Sequence, residues 1–270
     1  MQGAGNRSYL GPVNDTSEAP PPVETHVTVE RGAVTVIRLD RPRKKNAITA
    51  AMYTALADAL DEATRDDAVR VVLIGSSGGV FTAGNDLMDF LQNPPSGPDS
   101  PVFRLLEALC AFPKPLVAAV DGPAIGLGTT LLLHCDLVYA SDRARFQMPF
   151  VNLGLTPEGG SSYFLPRRVG NAKASEWLMF GEPFSAAEAK EAGLVNAVVP
   201  AGELDAFALE KCGKLALKAP GALRACKELM RGPERPVVRE AMLREGAEFV
   251  ERLGSPDAIE ALTRFLAPKG

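Results

Sequence analysis

The sequence predicts an α/β fold, in which strands and helices alternate, followed by a helical C-terminal region. Short apolar runs alternate with helical segments up to residue 200, and only helical patterns follow. These helical segments are predicted at residues 204–217, 221–231, 236–253 and 255–266. We therefore expect a core at residues 23–200 and a helical region at 201–270 that covers the core or a neighbouring subunit. Residues 1–22, rich in Gly, Pro, Asn and Ser, are expected to lack fixed structure.

The bulk composition excludes several classes of protein. The chain has 270 residues, 46% of them hydrophobic, which is enough for a sizeable core. Its net charge of −4 argues against a general nucleic-acid-binding protein, so an anionic ligand would need a local basic patch. The sequence has no run of roughly 18 uncharged apolar residues that could span a membrane. Its two histidines and four cysteines form no HExxH or CxxC pattern, so no metal site is expected.

The first elements are predicted to be two strands and a helix. Apolar and polar residues alternate over residues 27–39, with a turn at Arg31 and Gly32. Pro42 ends the second strand, and Thr49 is predicted to cap a helix with apolar residues at helical spacing: Met52, Leu56 and Leu60.

Three successive cations, Arg43, Lys44 and Lys45, stand between that strand and that helix. They are either part of a solvated loop or a contact for the phosphate groups of a ligand. The residues themselves leave both interpretations open.

Two further stretches combine a buried strand with a glycine-containing turn. Residues 69–75 (VRVVLIG) are a run rich in β-branched residues, typical of a buried parallel strand, and FTAGNDL at 81–87 then places a flexible glycine before Asn85 and Asp86. In the second stretch, LVAAVDGPAIGLGTTLLLHCDLVY at 116–139, a strand breaks into glycines and then enters a helix. Both turns leave backbone N–H groups at a helix start, where they are able to hold a developing negative charge. Plain tight turns in an α/β core are the alternative.

One acidic residue stands out in the segment that follows. Glu158 lies between Pro157 and the glycines 159–160, downstream of several apolar residues. A carboxylate in an apolar turn is poorly solvated, which raises its pKa towards values useful for a general base. The alternative is an exposed glutamate near the N-terminus of the next helix, stabilised by the helix dipole.

Five ordered motifs resemble the enoyl-CoA hydratase/isomerase (crotonase) superfamily over residues 23–268. They are LDRPRKKNAIT (39–49), FTAGNDL (81–87), PLVAAVDGPAIGLGTTLLLHCDLVYAS (115–141), PFVNLGLTPEGGSSYFLP (149–166) and AKEAGLVNAVVP (189–200). The resemblance implies a crotonase-like spiral of ββα units with a helical C-terminal region used in trimer contacts. It also implies acyl-coenzyme A ligands and an oxyanion hole made of two backbone N–H groups.

The resemblance assigns roles to individual positions. The two oxyanion-hole N–H groups would be those of Asn85 and Leu127. The implied substrate-binding residues are Arg43, Lys45, Ala47, Ala83, Gly84, Asn85, Asp86, Leu87, Gly126 and Phe150.

The acidic positions indicate the branch of the superfamily. Hydratases of this superfamily use two glutamates, and the matching positions here hold Thr130 and Phe150. Glu158 instead matches the single catalytic glutamate of the peroxisomal-type Δ3,Δ2-enoyl-CoA isomerases. The resemblance therefore implies an isomerase in fatty acid β-oxidation, with another crotonase reaction or a non-catalytic acyl-CoA-binding protein as alternatives.

The remaining expectations concern cofactors, oligomeric state, partners and cellular location. The resemblance implies no cofactor, because coenzyme A enters as part of the substrate, and a homotrimer or a dimer of trimers. No nucleic-acid or membrane partner is expected. A cytoplasmic location is expected, since the chain ends in Ala-Pro-Lys-Gly rather than in a peroxisomal signal of the SKL type.

Overall fold

The fold is built on two sheets with helices on both faces of the larger one. The computed structural model describes residues 24–267 except 96 and 98, so the expectation for residues 1–22 lies outside the described residues. The described strands are β1 (Val27–Glu30), β2 (Val34–Leu39), β3 (Val71–Ser76), β4 (Leu116–Val120), β5 (Pro123–Ile125), β6 (Leu137–Ser141), β7 (Arg145–Gln147), β8 (Phe184–Ser185) and β9 (Ala197–Val199). The described α-helices are α1 (Ala50–Arg65), α2 (Leu87–Gln92), α3 (Pro101–Ala111), α4 (Leu127–Thr130), α5 (Ser161–Arg168), α6 (Asn171–Phe180), α7 (Ala186–Glu191), α8 (Leu204–Ala216), α9 (Pro220–Arg231), α10 (Arg235–Leu253) and α11 (Pro256–Leu266).

The large sheet has six strands in the order β1-β2-β3-β4-β6-β9. Its first pair is antiparallel, and every later pair is parallel. Strands β3 and β4 lie in the middle, where both faces of the sheet are covered, and this explains their continuous apolar sequences. The predicted α/β class is confirmed, including the strand at Leu116–Val120.

Alternate residues of the central strands pack into two separate apolar clusters. Helices α1 and α3 cover one face, where Met52, Leu56 and Leu60 of α1 are buried as their spacing predicts. Helix α8 covers the other face with its buried residues Leu204, Ala208 and Cys212. The start of the helical C-terminal region thus packs directly on the sheet.

The small sheet, with the order β5-β7-β8, positions the glycine-rich turn. The chain leaves β4 through Gly122, whose φ is +68°. A Cβ atom at this position would lie 2.1 Å from the carbonyl oxygen of Gly79, so only glycine fits. Two isolated parallel bridges, Ile48 with Asn85 and Thr82 with Ala124, connect the FTAGNDL segment to its neighbours on both sides.

Side chains cap the first turns of two helices, and the cap at Thr49 is as predicted. Thr49 accepts a hydrogen bond from the Met52 amide at the start of α1. Ser185 and Glu188 form a reciprocal capping box at α7.

Two elements are short. The helix after the glycine-rich turn covers only Leu127–Thr130 and continues as a 3₁₀ helix over Leu131–His134. Strand β9 begins only at Ala197, because the amides of Leu194 and Val195 donate to the Ala189 carbonyl as α7 ends. None of the helices in the described part of the chain is long and apolar enough to cross a membrane.

Candidate active site

An apolar cavity of about 700 Å³ lies between the glycine-containing turns and the C-terminal helices. The FTAGNDL segment and the glycine-rich turn form one wall, and α10 and α11 form the opposite wall. Aromatic side chains line much of it: Tyr53, Phe90, Phe103, Phe150, Phe249 and Phe265. Such a cavity suits a largely apolar ligand held by a few polar groups.

The backbone amide of Asn85 is turned away from its bridge partner. Ile48 donates to the Gly84 carbonyl and accepts from the Asp86 amide, both at 2.8–2.9 Å, so the chain pairs through the residues that flank Asn85. In a parallel bridge of this kind the N–H group of the middle residue points to the opposite side. No acceptor for the Asn85 amide is found among the described residues, and Asn85 lines the cavity.

The backbone amide of Leu127 is the first of helix α4, so it has no acceptor within its own helix. Gly126, which precedes it, has φ +56° and ψ −119°, a conformation that favours glycine. The ring of Phe150 lies next to this glycine: a Cβ atom at position 126 would be 3.9 Å from the nearest ring carbon. Among the described residues the Leu127 amide has no hydrogen-bond acceptor. Asn85 and Leu127, the two predicted oxyanion-hole residues, both line the cavity with their amides unpaired within the described part of the chain.

Glu158 also lines the cavity, on the turn that precedes α5. Its Oε1 atom accepts a hydrogen bond from the Thr130 hydroxyl at 2.5 Å. Burial raises the pKa of Glu158 from its ordinary value of 4.5 to about 7, with the Thr130 hydrogen bond opposing this rise and the charge of Glu245 adding to it. A carboxyl group with this pKa is able to accept and to donate a proton near neutral pH.

The turn that carries Glu158 is fixed by hydrogen bonds on its backbone. The amide and the hydroxyl group of Ser161 both donate to the Glu158 carbonyl. The Nε2 atom of His134 lies 2.8 Å from the Gly159 carbonyl, which requires the proton on Nε2 because a carbonyl only accepts. Burial lowers the pKa of His134 to about 3, so the ring is neutral and acts as a structural donor.

Tyr53 is a buried polar residue of the cavity that the sequence analysis did not single out. Its hydroxyl group donates a short hydrogen bond to the side-chain oxygen of Asn85. Burial raises the pKa of Tyr53, and the nearby charges of Glu158 and Asp89 raise it further. Tyr53 therefore stays neutral and holds the side chain of Asn85, which lines the cavity.

The three cations Arg43, Lys44 and Lys45 lie on an exposed turn at the edge of the cavity. Lys44 contributes to the cavity lining, whereas Arg43 and Lys45 lie outside it. Asn46, fully buried, fixes the turn by accepting from the Arg41 amide and donating to the carbonyls of Ser77 and Val80.

Asp86 lines the cavity, but its carboxylate is already engaged. It accepts hydrogen bonds from the Met88 and Asp89 amides, which caps α2, and it pairs with Arg41 at 2.6 Å. The Arg41 guanidinium and these amides hold the pKa of Asp86 below its ordinary value despite its partial burial. The Asp86 side chain thus shapes the turn, and its contact with a ligand would be through the backbone.

Most of the residues singled out from the sequence meet at this cavity. The ones that line it are Ala47, Ala83, Gly84, Asn85, Asp86, Leu87, Gly126, Leu127, Phe150 and Glu158. Sequence reasoning missed Tyr53 and the C-terminal wall, which includes Met242, Gly246 and Phe249. No local pattern marks these residues, because an apolar residue on an amphipathic helix has the same signature whether it faces a core or a cavity.

Comparisons with known proteins identify the family of the chain. The family model for enoyl-CoA hydratase/isomerase matches residues 30–267. The chain is 38% identical over 253 residues to human enoyl-CoA delta isomerase 2, covering 91% of this chain and 64% of that protein. It is 34% identical over 234 residues to the 2,3-dehydroadipyl-CoA hydratase of Escherichia coli K12, covering 86% and 92% of the two chains. The structure of Pseudomonas aeruginosa OdaA superposes with a TM-score of 0.88 at 50% identity, covering 91% of this chain and all of that one.

The chain therefore belongs to the enoyl-CoA hydratase/isomerase family. Within this crotonase superfamily it stands close to the enoyl-CoA isomerases, which confirms the resemblance seen in the sequence. The chain spans somewhat less than two thirds of the length of the human isomerase it matches.

Proposed function

We propose that the protein is a Δ3,Δ2-enoyl-CoA isomerase that converts a 3-enoyl-CoA into the trans-2-enoyl-CoA and serves fatty acid β-oxidation. The observation that carries this proposal is Glu158, a carboxyl group with a pKa of about 7 at the wall of an apolar cavity. Asn85 and Leu127, whose backbone N–H groups have no acceptor among the described residues, line the same cavity, so the site would combine one base with a place for a negative oxygen.

The reaction needs only these parts. The thioester oxygen would accept hydrogen bonds from the Asn85 and Leu127 amides, which stabilise the enolate that forms when a proton leaves C2. Glu158 would take that proton and return it at C4, so the double bond moves from C3–C4 to C2–C3 with no net gain or loss of atoms. The Thr130 hydroxyl occupies Oε1 of Glu158, which leaves the other carboxyl oxygen to carry the proton.

The residues around Glu158 favour isomerisation over hydration. A hydratase must hold and activate a water molecule, and the two positions that would do so contain Thr130 and Phe150. The Thr130 hydroxyl is buried and used by Glu158, and Phe150 is only 7% exposed. The apolar wall keeps water from intercepting the proton held by Glu158.

We further propose that the exposed turn of Arg43, Lys44 and Lys45 attracts the phosphate groups of coenzyme A. The reaction would need no cofactor, since coenzyme A is part of the substrate. A cytoplasmic location and a homotrimer, or a dimer of trimers, complete the proposal. Exposed apolar side chains such as Met179, Phe180 and Leu229 support association.

The test is a direct assay of the purified protein with 3-enoyl-CoA and, separately, with trans-2-enoyl-CoA. We expect turnover of the first to the conjugated thioester, followed by its ultraviolet absorbance, and almost no addition of water to the second. Efficient hydration would contradict the proposal and favour a hydratase, the activity named for the E. coli relative. Tight acyl-CoA binding with no turnover of either substrate would instead indicate a binding protein.

A further inference from the structure

Glu245 is a buried carboxylate on α10 that contacts the turn carrying Glu158. It is 8% exposed. Its Oε2 atom accepts from the Gly160 amide at 2.6 Å, and its Oε1 atom accepts from the Ser162 amide at 2.9 Å and from the Ser162 hydroxyl at 2.5 Å. A long stretch of chain, 85 residues, separates Glu245 from Gly160, so only the tertiary fold brings them together.

These contacts supply the N-terminal cap that α5 lacks locally. The N-cap position of α5 is Gly160, which has no side chain to accept hydrogen bonds from the first amides of the helix. Glu245 provides the missing acceptor from another helix, and its negative charge lies at the positive end of the α5 dipole. The ionised carboxylate fits this position, because all of its contacts here are donors.

The backbone between Glu158 and α5 depends on this cap. Gly159 and Gly160 both have left-handed φ angles, +68° and +77°. Successive glycines have no conformational preference that would hold the turn by themselves. The contact from Glu245 to Gly160 therefore fixes the chain two residues after the proposed base.

The same helix also forms part of the cavity wall. Met242, Gly246 and Phe249 of α10 line the same cavity as Glu158. Glu245 sits between these residues in the helix and points to the turn. The Glu245 side chain thus links the position of α10 to the orientation of the turn that carries Glu158.

Glu245 also acts on Glu158 through its charge. The groups that face Glu158 are the Thr130 hydroxyl, Tyr53 and Glu245, and the negative charge of Glu245 raises the pKa of Glu158. Around Glu245 itself, burial raises its pKa, while Ser162, the Gly160 amide and the neighbouring Arg244 oppose that rise.

We propose that Glu245 is a positioning residue that fixes the Glu158 turn against α10 and thereby sets the geometry in which Glu158 meets the ligand. Its effect on catalysis rests on the isomerase function proposed above. Its effect on the turn does not, and this allows the two proposals to be tested separately.

The variant Glu245→Gln keeps the size of the side chain but removes its charge and places an amide NH₂ group against backbone donors. We expect kcat for 3-enoyl-CoA to fall about tenfold to hundredfold, as for loss of hydrogen bonds to a charged group. The KM for acyl-CoA should stay within about twofold, because no contact with the ligand is removed. The matched control is Glu248→Gln on the exposed face of the same helix, which should keep the wild-type kcat.

A titration that does not depend on turnover accompanies this assay. Carboxyl carbons of ¹³C-labelled glutamate are followed by NMR against pH, with Glu158→Gln used to assign the Glu158 signal. We expect the Glu158 pKa to fall in Glu245→Gln, because a neighbouring negative charge is lost. If Glu245→Gln lowers only the melting temperature and leaves both kcat and the Glu158 pKa unchanged, the proposal is wrong.

A second variant carries the test if Glu245→Gln does not fold. Ser162→Ala removes only the hydroxyl donor and should lower kcat about threefold to tenfold at constant KM. An unchanged kcat in a folded Ser162→Ala protein would then overturn the proposal. If the wild-type protein does not isomerise 3-enoyl-CoA, the proposed function fails, and the NMR titration still decides whether Glu245 acts on Glu158.

Discussion

Two turns at the edge of the cavity differ in their environment: the turn of Glu158 packs against α10, and the turn of the three cations is exposed to solvent. The turn of Glu158 is half-buried and contacts α10 through Gly160, and hydrogen bonds from Ser161, His134 and Thr130 fix it. The turn of Arg43, Lys44 and Lys45 is exposed, and only its backbone is fixed, by the buried Asn46. A buried carboxyl group responds to desolvation and to individual hydrogen bonds, whereas exposed cations act through net charge that salt screens. The first turn should therefore control the rate of the chemical step, and the second should control encounter with an anionic ligand.

The largest expected effect comes from Glu158→Gln, which removes the base while keeping the size of the side chain. Loss of a general base costs about 10²–10⁴-fold in rate, and no second acid stands at position 130 or 150 to replace it. Acyl-CoA affinity should persist, because the backbone donors and the cationic turn are unchanged. The measurement is kcat for 3-enoyl-CoA together with ligand affinity by calorimetry. Retention of most of the isomerase rate would show that another residue is the base.

The same variant checks the buried environment through stability. The folded-state pKa of Glu158 lies above its ordinary value of 4.5, so ionisation destabilises the folded protein as pH rises through about 7. Glu158→Gln should therefore be more stable than wild type by about 1–3 kcal/mol at alkaline pH. The difference should vanish at acid pH, where the carboxyl group is neutral in both states. Denaturant titrations at both pH values measure it, and a difference independent of pH would contradict the buried environment.

A smaller effect is expected from Thr130→Val, which replaces the hydroxyl group by a methyl group of similar size. The Thr130 hydrogen bond lowers the pKa of Glu158, so its loss should raise that pKa and shift the acid limb of kcat to higher pH. The rate at neutral pH should fall about tenfold, in line with loss of one hydrogen bond to a charged group. Thr130→Ser, which keeps the hydroxyl group, should restore the wild-type pH profile. A pH profile of Thr130→Val identical to that of wild type would show that the Thr130 hydroxyl does not affect the proposed base, Glu158.

The smallest effect is expected from replacing Arg43, Lys44 and Lys45 together by Ala. The KM for acyl-CoA should rise severalfold at low salt, the difference should shrink at high salt, and kcat should change little. The matched control replaces the exposed cations Arg65, Lys190 and Lys218 by Ala, which changes the net charge equally. Equal KM values for the two triple variants would mean that the turn contributes only to total charge.

The sequence by itself determined the elements whose signals are local. Periodicity and a capping residue predicted α1 with its cap at Thr49, and the apolar run at 116–120 predicted the central strand. Glycine-containing turns and a carboxyl group in an apolar turn marked the segments at 81–87, 116–139 and 158, and the resemblance of these ordered motifs to the enoyl-CoA hydratase/isomerase superfamily implied roles for Asn85, Leu127 and Glu158. Each of these signals is carried by residues within a few positions of one another, so a single sequence is enough to find it.

Only the tertiary structure decided which distant residues meet at those turns. Thr130 and Glu158 are 28 positions apart, Tyr53 and Asn85 are 32 apart, and Glu245 lies 85 positions from Gly160. The three cations are adjacent in the sequence, but only the structure shows that Lys44, and neither Arg43 nor Lys45, lines the cavity. The pKa of Glu158 depends on the same long-range packing, because desolvation comes from every element that excludes water around the carboxyl group. No local pattern encodes that exclusion, which exists only once the sheet, the turns and α10 are assembled around the cavity.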